Sequence, residues 1–220
     1  MFCIMSIMNL ISRLFAEINY FFSGRRESGI AIKSFDLDSH DTVTDPLIGK
    51  KILDRTKTEI SERYSVSVKN PVVLELIKNR NSFALRFEWR EEDVGKYHSQ
   101  KMINEKYHMI YIIAGLPRKR FIAIAAHELM HAFLYEKRLF TESQPVREAM
   151  ARWMEYKMLK SLGDKENAEK LMGIKTLKFG KGFKSVLNAE KKLKGGIRLT
   201  EWLINNRDEA ERLKKEILEQ

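Results

Sequence analysis

Cysteine is nearly missing from this chain: Cys3 is the only one in 220 residues, which excludes a disulfide framework and any cysteine-ligated zinc ribbon, LIM or RING module. A metal, if one is held, must sit on histidine and carboxylate ligands. Such scarcity points to a cytoplasmic protein, free or peripheral to a membrane. An uninterrupted apolar run of membrane-spanning length is also lacking. The most apolar stretch, Met1 to Phe22, is broken by Asn9, Arg13, Glu17 and Asn19 and has no basic residue ahead of it, so it fits neither a span nor a signal peptide. Acidic charge falls short of basic charge, 30 residues against 40, for a net +10. That balance favours an acidic partner, but the basic residues are not interleaved with aromatics, so nucleic acid is not the expected one.

What is present is a globular balance, 44% hydrophobic and 32% charged, sufficient for one compact domain with appendages. Residues 1–23 read as an amphipathic N-terminal helix, with Ile4, Ile7, Met8, Ile11, Leu14 and Phe15 at helical spacing. It packs on the domain itself or gives a peripheral contact to a membrane or partner near Arg25 and Arg26. Residues 24–46 read as a linker with a short strand at Ile30 to Ile32. A helix follows over Ile48 to Ser65, then strands at Pro71 to Ile77, Ser82 to Trp89 and Met109 to Ile113. The charged stretch Arg90 to Lys106 reads as a loop or hairpin tip. Gly115-Leu116-Pro117 ends the last strand.

The run Phe121 to Tyr135 reads as one buried helix, and inside it lies His127-Glu128-Leu129-Met130-His131. Histidines at i and i+4 leave one helical face and can reach a single ion, with the intervening glutamate turned to the same cleft. With five histidines in 220 residues, about 0.01 such matches would arise in a shuffled chain. The chemistry wants two neutral imidazoles, a third protein ligand and an open position for water.

No histidine follows His131 and no aspartate lies between it and Asp164, so the downstream carboxylates in reach are Glu142, Glu148 and Glu155. A second helix is expected from about Pro145 to Leu162, apolar nearly all round except for a stripe of Glu148, Arg152 and Glu155. A buried carboxylate needs a partner. Either Glu148 meets zinc or it pairs with Arg152 at i, i+4; the first reading gives both helices and the stripe one explanation. Glu155, two turns deeper, suits the free N–H of a ligand histidine.

The segments Ile113 to Arg118, Ala126 to Ala132 and Pro145 to Ala149 together resemble the peptidase domain of the DA-one-like proteins, ubiquitin-linked zinc peptidases known as plant growth regulators. Phe179-Gly180-Lys181-Gly182-Phe183, followed by a helix with Ala189 and a Gly195-Gly196 break, is similar to a further segment of that family. The likeness runs from about Met109 to Asn206, without the LIM or ubiquitin-interacting segments of the plant members. Where the family has Glu-Glu-Gly on the third-ligand helix, this chain has Arg147-Glu148-Ala149. The resemblance implies the same third ligand, Glu148.

The expectation is therefore an α+β, zincin-like metallopeptidase domain over 47–220: a small mixed sheet (47–117), the active-site helices (118–162) and a mainly helical C-terminal lobe (163–220). His127, His131 and Glu148 would hold zinc, with Glu128 as general base in peptide-bond hydrolysis of a protein or peptide substrate. Arg152, Tyr156 and Tyr135 are candidate donors to the oxyanion. Arg118-Lys119-Arg120 reads as a solvated surface cluster that could also receive an acidic substrate, and an edge strand along the cleft could pair with an extended one. Two rival readings are a non-enzymatic basic module for nucleic acid or anionic membrane with a structural metal site, and a repressor-cleaving zinc peptidase of the kind that regulates bacterial mobile elements.

Overall fold

Asp45 opens the first helix by accepting the Leu47 N–H at 2.7 Å, and Pro46 fills the first helical position, where a missing N–H costs nothing. The computed structural model describes residues 42–78, 94–102, 105–173, 180–193 and 198–219. The expected helix over Met1 to Phe22, the strands at Ile30 to Ile32 and Ser82 to Trp89, and the Gly195-Gly196 break lie outside them.

The elements in order are β1 (Thr42–Val43), α1 (Pro46–Tyr64), β2 (Val72–Ile77), β3 (Gly95–Met102), β4 (Glu105–Ile113) and β5 (Leu116–Pro117). They are followed by α2 (Arg118–Glu136), α3 (Gln144–Ser161), α4 (Lys165–Gly173), α5 (Gly180–Lys192), α6 (Leu199–Asn205) and α7 (Arg207–Leu218). The described residues thus make an α+β chain with a helical C-terminal part. Thr42 and Val43, at the end of the stretch read as a linker, pair antiparallel with β5.

The main sheet has the order β2-β4-β3, with β2 parallel to β4 and β3 antiparallel to it. β4 is central, and its continuous apolar run Met109 to Ile113 fits a strand flanked on both sides. β3 corrects the sequence reading. Gly95 to Met102 lies within the stretch read as a loop or hairpin tip, yet it is a strand paired in full register from Gly95 opposite Ile112 to Met102 opposite Glu105. An edge strand needs few apolar residues, so its charged sequence hid it.

Gly115, at φ +88°, turns the chain out of β4, and its N–H reaches the Val43 carbonyl at 2.8 Å. α2 then enters the core. Phe121 to Ala126, Leu129, Met130 and Ala132 to Leu134 are all buried, as a helix apolar on every side must be. α3 runs antiparallel beside it, since Arg120 meets Glu155 while His131 faces Glu148. The turn between them uses positive φ at Arg138 and Phe140, and Arg147 donates to the carbonyls of Phe140 and Thr141. Behind α3, α5 comes close because Gly182 has no side chain: a Cβ there would lie 2.8 Å from Ile217 and 3.3 Å from Ala149. No helix among the described residues is long and apolar enough to cross a membrane.

Candidate metal centre

His127 and His131 leave α2 one turn apart, with their Nε2 atoms 3.3 Å from each other. Glu148 of α3 faces both, with Oε2 at 3.6 Å from His127 Nε2 and Oε1 at 3.5 Å from His131 Nε2. These are the spacings of ligand atoms around one ion. Tetrahedral bonds of about 2.0–2.1 Å put neighbouring ligand atoms about 3.3–3.4 Å apart. Among the described residues, His127, His131 and Glu148 form the one group of three or more such side chains with converging ligand atoms.

The next shell sets the chemistry of His127. Its Nδ1 lies 3.1 Å from Glu155 Oε2, and the other oxygen of Glu155 accepts from Arg120 at 2.5 Å. An ionised carboxylate can only accept, so Nδ1 carries a proton whatever the charge of the ring, and in the neutral ring the Nε2 lone pair faces His131 and Glu148. That is the tautomer a metal requires. Glu155 is buried at 4% exposure and would be costly there without these two donors.

The electrostatics show a cluster built around positive charge. Burial works against a charged His127, yet the carboxylates of Glu148, Glu155 and Glu128 overcome it and push its pKa up to about 10. Burial and the neighbouring His127 charge pull His131 down to about 3. Burial would raise Glu148, but the two histidines and Arg152 hold it at about 2. Glu155 is likewise held below its usual value, against burial, by His127, Arg120 and Arg152. Two imidazole nitrogens 3.3 Å apart beside a carboxylate suit a shared cation, and the donor set is one that zinc accepts.

Glu128, between the two histidines, is buried at 4% exposure with its carboxylate against the backbone of β3: a Cβ on Gly95 would sit 2.5 Å from Oε1. The other sequence candidates lie around this group. Arg152 is close enough for its charge to lower both Glu148 and Glu155. Tyr156 packs edge-on against Phe183 of α5, ring centres 5.5 Å apart, and Tyr135 lies half out of the surface against His108 at 6.1 Å. Glu142 is exposed in the turn. Arg120, read as part of a basic surface cluster, instead bonds Glu155.

Sequence reading missed Tyr97, His108 and Glu136. Tyr97 of β3 lies nearly parallel to the His131 ring, 17° between planes and 6.1 Å between centres. Its hydroxyl lies 3.0 Å from His108 Nδ1, and His108 Nε2 lies 2.9 Å from Glu136 Oε1. The one available signal was His108, a polar residue at the entrance of an apolar strand. No family model, no curated protein and no solved structure matches the chain.

Proposed function

We propose that this chain is a zinc-dependent peptidase that hydrolyses peptide bonds in protein substrates, a zincin-like domain of the DA-one-like kind. The observation that carries the reading is the convergence of His127, His131 and Glu148 at ligand spacing, with Glu128 on the same helical face. The architecture also supports it: a mixed sheet whose antiparallel edge strand lies against Glu128, followed by two antiparallel helices carrying the ligands.

In this reading His127, His131 and Glu148 hold the ion. Zinc in such a site acts as a Lewis acid on the scissile carbonyl and makes water acidic near neutral pH. The protein's own part is proton handling and orientation. Glu128 takes the proton of the attacking water and gives it to the leaving amine. Its carboxylate lies against Gly95 of β3 and close enough to His127 to act on the charge of that ring. Glu155, braced by Arg120, holds the His127 ring with Nε2 toward the ion. Arg152, close enough for its charge to act on both carboxylates, is a cationic candidate for the developing oxyanion.

The test is Glu128→Gln, which removes the base and leaves every ligand. Chelator-sensitive hydrolysis of an unstructured protein such as casein should fall by about 10²–10⁴-fold while bound zinc is unchanged. Undiminished hydrolysis by the variant would contradict the proposed base.

A further inference from the structure

The two ligand histidines are not held alike. His127 is oriented by the hydrogen bond of its Nδ1 to Glu155, whereas among the described residues Nδ1 of His131 makes no hydrogen bond. What lies against His131 is the ring of Tyr97. That ring is tethered at its far end. Glu136 accepts the backbone N–H groups of Lys69 and Asn70 at 2.8–3.0 Å. As a carboxylate it also accepts from His108, so the His108 proton sits on Nε2 and its Nδ1 is an acceptor for the Tyr97 hydroxyl.

We infer that the chain Glu136–His108–Tyr97 is a positioning device for the metal ligand His131. The path closes on itself. It leaves α2 at Glu136, crosses β4 at His108 and β3 at Tyr97, and returns to α2 at His131, five residues before its start. Such a ring fixes the spacing of helix and edge strand at the height of the ligand. His108 is fully buried, and a buried polar chain carries a desolvation cost that an apolar packing would avoid. Because its members are fully bonded and it ends on a ligand ring, the chain can set the imidazole plane so that Nε2 faces Glu148 and His127. Tyr97 and Gly95 are two residues apart on one strand and so share a face, which lets β3 brace the ligand and the base together.

This inference rests on the zinc reading above, and its test separates the two. Tyr97→Phe keeps the ring and removes only the tether. Measured by competition with a chromogenic chelator, its zinc dissociation constant should rise about 10-fold, within the range for outer-shell partners. The cobalt-substituted variant should show an altered visible spectrum, because the ligand ring is free to turn. The double variant Tyr97→Phe with His108→Phe leaves no orphaned ring nitrogen, guards against a folding failure of the single change, and should show the same loss. Wild-type affinity and an unchanged cobalt spectrum in both variants would overturn the inference while leaving the zinc site standing. A wild-type protein that takes up no zinc would overturn both.

Discussion

Glu148 and Glu155 sit seven residues apart on α3 and so on nearly the same face, yet they have different partners. Glu148 reaches the Nε2 atoms of both histidines, while Glu155 reaches only Nδ1 of His127, on the side away from the converging atoms. Glu148→Gln is therefore expected to remove most bound zinc. Glu155→Gln should weaken it by about 10- to 100-fold with the site still assembled. Metal analysis of the two purified variants decides this, and zinc surviving in Glu148→Gln but lost from Glu155→Gln would reverse the placement. The placement of the two carboxylates beside the histidines could be read from the sequence because an HExxH pair and a polar stripe on an apolar helix each have a periodic signature. Arg120 could not be placed that way: in sequence it belongs to a basic cluster, and only the antiparallel packing of α2 on α3 brings it to Glu155.

At the level of elements, the buried helices were legible and the edge strand was not. α2 and α3 declare themselves by apolar periodicity over 19 and 18 residues. β3 is paired on β4 through backbone hydrogen bonds that any sequence can make, and its contribution to the site comes from Gly95 and Tyr97, two residues with no local signature. The close approach of β3 to α2 has a direct consequence. A methyl group at Gly95 would meet Glu128 Oε1 and Ile124 Cγ2, both at 2.5 Å, so the carboxylate must move. Gly95→Ala should lower kcat about 10²-fold, the scale of a small misplacement of a reacting group, while zinc content stays at the wild-type level. A variant of unchanged kcat would show that the strand does not set the position of Glu128.

At the scale of the whole molecule, four of the described elements meet around one small volume: α2 and α3 supply His127, His131 and Glu148, and β3 and β4 brace α2 from the other side. An ion held between α2 and α3 binds the folded chain and not the unfolded one, so saturating zinc should stabilise the protein by about 3–4 kcal/mol at a hundred- to a thousandfold excess over its dissociation constant. The +10 charge of the full chain bears on what approaches the protein and not on this centre, where three acidic residues, Glu128, Glu148 and Glu155, surround two histidines. The measurement that tests the account most directly is metal content joined to thermal stability for the purified chain before and after chelation. One zinc per chain, with a melting temperature that falls on chelation and returns when zinc is restored, is the expected result. A protein that takes up no zinc, and whose melting temperature is the same with or without it, would contradict the site and the activity built on it.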